Sequence, residues 1–206
     1  FRFCFGCEKN DIREKVVITP FLSVKKFNTG RTDDVYFKGR VYSVLTSRET
    51  GGITVIQCGI GDKLLGDAVM FLEGTVVEKI VFVGTCGGFK DLRLGDMVIG
   101  SEAFDGEGFS RYLKEDFSMR ELLGSSATVR PKGDVSSAFV KFLLQRNAKD
   151  RIKTGKIFTI GSLYAENKEN LSAIEAYGFI GIDMELSAVY NAANRIETDI
   201  TSLLVV

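Results

Sequence analysis

The stretch VFVGTCGGFKDLRLGDMVIG, residues 81–100, combines an apolar strand, a glycine-rich loop and the start of a second strand. The loop GTCGG at 84–88 contains three glycines, which let the backbone approach a ligand closely and expose its N–H groups. The Thr85 hydroxyl adds a group that can bind an anion or a sugar. A tight turn before another strand explains the same glycines, so the neighbouring motifs must decide between turn and site.

Outward from this stretch, short apolar runs alternate with helical segments along the whole chain. The runs rich in β-branched residues predict strands at 15–21, 41–47, 53–59, 79–88, 96–104, 156–164, 179–184 and 200–206. The segments between them predict helices at 62–76, 134–149, 167–178 and 184–197. Lys38-Gly39-Arg40 predicts a hairpin turn. The alternation predicts one α/β domain over residues 1–206, with a parallel or mixed sheet covered on both faces.

The composition excludes several classes of function. Lysine plus arginine and aspartate plus glutamate both number 27, so no overall field favours nucleic acid or an anionic membrane. No apolar run approaches the roughly 20 residues of a membrane span, and no stretch of the sequence has the order of basic, apolar and small residues typical of a secretory signal. We therefore expect no nucleic-acid partner, no membrane partner and a cytoplasmic location.

The chain has no histidine and four cysteines. The missing histidine excludes histidine-based triads, histidine metal sites and a histidine general base. Cys4 and Cys7 form a C-x-x-C, but no second pair completes a metal site, and we interpret the cysteines as reduced thiols. We expect no bound metal, and the chemistry must come from carboxylates, backbone amides, hydroxyls, Lys, Arg or Cys.

Two further strand-end motifs could form a site with the glycine loop. CGIGDKLLGDA at 58–68 joins a strand to a helix through glycines; it lacks the P-loop spacing, but a helix N-terminus can contact a phosphate or ribose. In GIDMELSAVY at 181–190, Asp183 and Glu185 flank Met184 between a strand and a helix. The two acids either stabilise the positively polarised N-terminus of the helix or bind a ligand. A ribose suits them, because a carboxylate accepts both vicinal hydroxyls and Met packs on the sugar.

The motifs VGTCGGF…LGDMVIG, GIG and GIDMELSAVY, in this order, resemble the nucleoside phosphorylase family, which includes purine nucleoside phosphorylases, uridine phosphorylases and methylthioadenosine nucleosidases. The resemblance covers nearly the whole chain. It implies a mixed sheet distorted into a barrel and flanked by helices. It also implies cleavage of a nucleoside N-glycosidic bond by phosphorolysis, with no cofactor and with inorganic phosphate as co-substrate. Family members commonly complete their sites with a neighbouring subunit, so we expect a homo-oligomer such as a dimer or a trimer of dimers.

The resemblance assigns roles residue by residue. The ribose-binding residues would be Glu185 and Met184. The base-binding residues would be Cys86, Gly87, Leu163, Tyr164, Ile182 and Asp183. The phosphate-binding residues would be Thr85, Gly84 and Arg31, with Lys25 or Lys26 as alternatives to Arg31.

The chain also departs from the family pattern. The segment ITPFLSVKKF lacks the Gly-Asp-Pro and the arginine that the family usually has after the first strand. The family has a second phosphate-binding arginine just before the glycine-rich loop, where this chain has Phe82 and Val83. The family's catalytic Asp, in a Ser-Asp pair, would fall just beyond Val206, so we expect a missing C-terminal segment that carries it. These departures leave two alternatives to phosphorolysis: a hydrolytic nucleosidase and a catalytically inactive nucleoside-binding protein.

Overall fold

The glycine-rich loop follows an inner strand of one large mixed sheet. The structure, a computed structural model, describes residues 1–27, 33–89, 91–125, 128–145 and 149–206. Within these ranges, residues 26 and 149 are described by their backbone alone. The strands of the described residues are β1 (Lys15–Thr19), β2 (Asp34–Lys38), β3 (Ser43–Ser47), β4 (Ile53–Gln57), β5 (Lys79–Thr85), β6 (Gly87–Gly88), β7 (Met97–Gly106), β8 (Thr128–Val129), β9 (Ile152–Ile160), β10 (Gly181–Asp183) and β11 (Asp199–Val205). The α-helices are α1 (Arg2–Phe5), α2 (Asp62–Met70), α3 (Met119–Leu123), α4 (Val135–Gln145), α5 (Lys168–Ala176) and α6 (Leu186–Arg195).

The strand order is β2-β3-β4-β1-β5-β11-β7-β9-β10-β6, with β8 paired to β7. β4, β1, β5 and β11 are mutually parallel, and Val16 of β1 lies in register with Thr54 and Ile80 of its two neighbours. β7 is antiparallel to β11 and parallel to β9, which is parallel to β10. The predicted α/β fold with a mixed sheet flanked by helices is confirmed. The sheet is open, however: among the described residues β2 and β6 are its two ends, and no pairing closes it into a barrel.

Most predicted elements form close to their predicted positions. The hairpin at Lys38-Gly39-Arg40 joins β2 to β3. The strand predicted at 79–88 instead breaks at Cys86, because the Cys86 N–H donates to the Val205 carbonyl at 3.0 Å while the next two glycines turn to pair with β10. Helix α2 ends at Met70, earlier than predicted, and the short helices α1 and α3 were not predicted.

Helix α6 anchors the candidate site to the core. Its buried residues Leu186, Val189, Tyr190 and Ala193 recur at helical spacing and form one apolar face. Burial of a large apolar side chain stabilises the fold by about 1.5–3 kcal/mol. The Tyr190 hydroxyl donates to the Gly100 carbonyl at 2.7 Å, which fixes the helix against β7. The first turn of α6, where the predicted acids lie, is therefore rigidly placed.

A buried carboxylate with two basic partners lies elsewhere on β7. Glu102 follows an irregularity in the β7–β9 register and is 6% exposed. It forms ion pairs of 3.0 Å with Arg130 and with Lys156. The two basic groups compensate for the burial of this carboxylate.

Two further observations bear on membrane and metal chemistry. Within the described ranges, none of the helices has the length and apolar character needed to cross a membrane. The four cysteines form no disulfide. Burial, together with the Asp11 and Glu8 carboxylates, raises the pKa of Cys7 to about 12. The Cys7 thiol therefore stays protonated at neutral pH when no metal ion is bound.

Candidate functional site

A cavity of about 280 Å³ opens at the ends of several strands. Eight of the residues predicted from the sequence line it: Thr85, Cys86, Gly87, Leu163, Ile182, Asp183, Met184 and Glu185. Four other lining residues were not predicted: Pro20, Phe21, Ile60 and Glu166. The strand-end motifs therefore do meet at one place.

Parallel pairing brings the first three strand ends together. β4, β1 and β5 run in the same direction, so the residues that follow them emerge at one edge of the sheet. The loops are joined there by backbone bonds of 2.9 Å, from the Cys58 N–H to the Thr19 carbonyl and from the Gly59 N–H to the Pro20 carbonyl. Pro20, Phe21 and Ile60 reach the cavity for this reason.

The two-residue strand β6 carries the glycine loop across to the carboxylates. Gly87 pairs with Ile182 and Gly88 with Gly181 in antiparallel register. A Cβ at Gly87 would lie 3.2 Å from the Ile182 side chain, so this close approach suits glycine. Cys86 and Gly87 are thereby held beside the segment that contains Asp183.

Asp183 stabilises the start of α6. One carboxylate oxygen accepts hydrogen bonds from the N–H groups of Leu186 at 2.7 Å and Glu185 at 3.2 Å. The other accepts from the Thr159 hydroxyl at 2.8 Å. Burial raises the pKa of Asp183 to about 7, and the nearby Glu185 carboxylate adds to the increase, while these hydrogen bonds oppose it. Asp183 thus satisfies two backbone N–H groups at the start of α6, where Glu185 is the N-cap residue. Its predicted contact with a base stays a prediction.

Glu185 has a different environment. It is 5% exposed, and its Oε1 accepts a hydrogen bond of 2.9 Å from the N–H of Gly61, which lies 124 residues away in sequence. Burial raises the pKa of Glu185, hydrogen bonds from the Gly61 and Met184 backbone lower it, and the Asp62 carboxylate raises it again. These bonds leave acceptor capacity of the carboxylate unused. A ligand that donates hydrogen bonds, such as a diol, would complete its coordination.

A second carboxyl pair lies behind the cavity. The Ser187 hydroxyl donates to Glu107 at the end of β7, and the Asp62 carboxyl lies within hydrogen-bonding reach of Glu107. Burial, the Asp105 charge and Asp62 raise the pKa of Glu107 to about 7, against the bond from Ser187. This pair connects the first turns of α2 and α6, which also carry the Gly61–Glu185 contact.

A sequence profile of the phosphorylase superfamily matches residues 12–206. The chain belongs to the phosphorylase superfamily.

Individual superfamily members are distant relatives of this chain. The DeoD-type purine nucleoside phosphorylase of Buchnera aphidicola subsp. Acyrthosiphon pisum (strain Tuc7) is 24% identical over 159 residues, which are 75% of this chain and 62% of the relative. The same enzyme type from the Schizaphis graminum subspecies (strain Sg) is 25% identical over the same length. This chain thus spans 62% of the length of these curated relatives.

Solved structures share the fold. A uridine phosphorylase of Vibrio fischeri ES114, complexed with 6-hydroxy-1-naphthoic acid, superposes with a TM-score of 0.74 at 18% identity, over 96% of this chain and 79% of that chain. An AMP nucleosidase of Bacteroides thetaiotaomicron VPI-5482 superposes with a TM-score of 0.79 at 18% identity, over 99% of this chain and 84% of that chain. This chain therefore shares its mixed α/β fold with these two proteins.

Two of the residues suggested by the resemblance, Tyr164 and Gly84, do not line the cavity. Tyr164 is 76% exposed and lines a neighbouring groove of about 740 Å³ between α3 and α5, because the turn after β9 directs it away from Leu163. Gly84 is buried inside β5, where a Cβ would meet the side chains of Phe82 and Leu204. Arg31 lies outside the described residues.

The lining of the cavity is acidic and apolar. It includes the carboxylates of Glu166, Asp183 and Glu185, and none of its described residues is Lys or Arg. Glu166 escaped prediction because a single acid in a polar segment such as SLYAEN, residues 162–167, is typical of the protein surface. Ile60 could have been found from its place in CGIGD, between a strand and a helix. Any anionic co-substrate would have to bind close to negative charge.

Proposed function

We propose that this superfamily member cleaves the N-glycosidic bond of a nucleoside. The observation that carries the proposal is the buried Glu185 carboxylate, which faces the cavity with one oxygen fixed by Gly61. Two vicinal ribose hydroxyls can both donate to its unused acceptors. The adjacent Met184 supplies an apolar, adaptable surface for the sugar ring.

The same carboxylate also favours the reaction. When the bond to the base breaks, positive charge develops on the ribose ring, and a negative charge held nearby stabilises that transition state more than the ground state. Leu163 and Ile182 offer apolar contacts for the base in the same cavity. In this proposal Cys86, Gly87 and Asp183 complete the base-binding wall, and no cofactor takes part.

Phosphate is the proposed attacking group, because the chain belongs to the phosphorylase superfamily. Thr85 is exposed at the end of β5 and lines the cavity, so its hydroxyl and the backbone around it can donate to a phosphate oxygen. Arg31 would supply the positive charge in this scheme.

Hydrolysis is the second candidate, and the charge of the cavity favours it. Three carboxylates and no Lys or Arg occur among the described lining residues. A phosphate dianion would be repelled there unless a cation is supplied from elsewhere, whereas a neutral water molecule would not. Carboxylates can also orient such a water by accepting its protons.

Turnover with and without phosphate separates these candidates. The protein is incubated with adenosine, inosine, uridine and methylthioadenosine, and the released base is measured by chromatography. Release that requires phosphate and yields ribose 1-phosphate supports phosphorolysis; equal release without phosphate supports hydrolysis. Nucleoside binding without release supports a binding protein, and a complete lack of nucleoside binding contradicts the proposal.

We further propose that the protein works as a homo-oligomer in cytoplasmic purine salvage. The two curated relatives named above are purine nucleoside phosphorylases, which supports a purine substrate. Exposed apolar side chains such as Phe3, Leu94 and Phe109 provide surface for subunit contacts. Mass photometry at micromolar concentration measures the assembly, and a purely monomeric protein would contradict this part.

A further inference from the structure

The carboxyl pair of Asp62 and Glu107 joins three elements of the fold and does not itself line the cavity. Glu107 follows β7, and its backbone N–H donates to Asp105 at 3.0 Å. The Ser187 hydroxyl, in the first turn of α6, donates to the Glu107 carboxyl group. Asp62, the first residue of α2, has its carboxyl group within hydrogen-bonding reach of Glu107. Glu107 therefore contacts the first turns of both helices.

The same first turns meet at the carboxylate proposed to bind ribose. Gly61, the N-cap residue of α2, donates its N–H to Glu185 at 2.9 Å. Helix α6 is fixed independently, because the Ser187 N–H donates to the Thr159 hydroxyl of β9 at 3.0 Å. Gly61 has no side chain with which to cap α2, so the carboxyl pair helps to hold this turn in place.

The contact within the carboxyl pair depends on a proton. A carboxylate is an acceptor only, so a hydrogen bond between two carboxyl groups needs a proton on one of them, and two ionised groups repel each other. Burial raises the pKa of Glu107 to about 7, the bond from Ser187 lowers it, and the Asp105 and Asp62 carboxylates raise it. Neutral Glu107 can donate to Asp62, whereas ionised Glu107 faces it as a like charge.

The groups around the carboxyl pair are mostly acidic. Among the described residues, no ion pair joins Glu107 to a Lys or Arg. The proton of Glu107 is therefore not replaced by a described cation when it is lost. The titratable and charged groups that face the pair or its immediate neighbours are Asp105 of β7, Glu185 at the start of α6, and Tyr112 and Arg111 of the 3-10 turn Phe109–Leu113.

We propose that Glu107 is a positioning residue whose proton holds the first turn of α2 against α6 and so keeps the Gly61 N–H on the Glu185 carboxylate. This inference rests on the proposed function, since the ribose would bind to that carboxylate. When Glu107 loses its proton, repulsion from Asp62 moves the first turn of α2 away, and Glu185 loses its fixed orientation. Nucleoside binding therefore weakens as the pH rises.

Calorimetric titration with adenosine at a series of pH values measures this effect, because adenosine has no group that ionises near neutral pH. The Gly61–Glu185 bond is a hydrogen bond to a charged group, so its loss should lower adenosine affinity about tenfold to about a hundredfold as the pH rises from about 6 to about 9. Titrations at a pH of about 8, in buffers of different ionisation enthalpy, should show uptake of protons on binding. Ionisation of Glu185 on binding would release a proton instead, so the sign of the exchange separates the two carboxyl groups.

Two variants and two controls test the carboxyl pair itself. Glu107→Gln keeps a neutral donor toward Asp62 at every pH, so both the fall in affinity and the proton uptake should disappear. Asp62→Asn removes the like charge and should also abolish the fall. Glu102→Gln is the matched control, because Glu102 is a buried acid of β7 that does not line the cavity, and it should keep the fall. Asp183→Asn should keep it too, which excludes titration of this cavity acid as the cause.

Thermal melting of each variant shows which proteins are folded, and Asp62→Asn serves as the test if Glu107→Gln does not fold. An affinity that stays constant with pH in the unmodified protein overturns the inference but leaves the proposed function intact. The same holds if the fall persists in both variants of the pair, or disappears in Asp183→Asn. Absence of adenosine binding at every pH overturns both.

Discussion

The substitution Glu185→Gln tests the ribose assignment most directly. Glutamine has the same shape, and its carbonyl can still accept the 2.9 Å bond from Gly61. Each ribose hydroxyl, however, loses a charged acceptor and gains at best a neutral one, a difference of about 1–1.5 kcal/mol per bond. Two bonds then amount to about 2–3 kcal/mol, so nucleoside binding should weaken about thirtyfold to about 150-fold.

Fold stability should respond differently to the same change. Burial raises the pKa of Glu185, with Asp62 adding to the increase, so its charge is unfavourable in the ligand-free protein. Removing that charge should leave the melting temperature unchanged or slightly higher. If Glu185 served only the positive end of α6, the substitution would instead cost up to about 1 kcal/mol of stability and leave binding nearly unchanged.

Calorimetric titration with three ligands, beside thermal melting, separates these outcomes. Adenosine should lose affinity in the Glu185→Gln protein, while adenine and 2′,3′-dideoxyadenosine should bind both proteins equally, because neither carries the vicinal hydroxyls. An equal loss for all three ligands, or no loss for adenosine, would refute the assignment of Glu185 to the ribose.

Three further predictions concern the frame around the cavity. The pKa of Asp183 is about 7 in the folded protein, above its ordinary value of 3.8, so the unfolded chain loses this proton at lower pH than the folded protein does. The free energy of unfolding should therefore fall as pH rises from about 4 to about 7. In Asp183→Asn, urea unfolding at a series of pH values should show a smaller dependence of this free energy on pH. Gly61 has φ 113° and ψ 148°, and the space at its Cβ position is open, so Gly61→Ala should cost about 1–3 kcal/mol of backbone strain and weaken adenosine binding. Gly51→Ala is the control: Gly51 has φ 71° and equally open space but does not line the cavity, so this substitution should leave adenosine binding unchanged. Glu102→Gln removes the charge shared with two basic partners and should lower the free energy of unfolding by about 1–3 kcal/mol, with adenosine affinity within about twofold. A large loss of adenosine affinity in the Gly51 or Glu102 variant would show that binding depends on general stability instead of on the site.

The sequence by itself determined the α/β class and marked most residues of the cavity as residues at strand ends. Short runs of β-branched residues mark the strands, and the parallel strands β4, β1 and β5 release their following loops at one edge of the sheet. Glu185 follows β10, which runs opposite to β5 in the sheet, so its position in the same cavity as Thr85 depends on the tertiary structure. The absence of histidine and the acids of GIDMEL also restricted the chemistry before any fold was known. These inferences depend only on residue type and short-range spacing.

Only the tertiary structure decided which partner each of these groups has. The pattern D-M-E treats its two acids alike, yet Asp183 accepts from N–H groups at the start of α6 whereas Glu185 receives its bond from Gly61, 124 residues away. In the same way, adjacent Leu163 and Tyr164 line different cavities, and Glu166 remains without a partner among the described residues. The physical reason is that hydrogen bonding and burial of a side chain depend on elements brought together by the folded chain, and local sequence carries no record of those distant contacts.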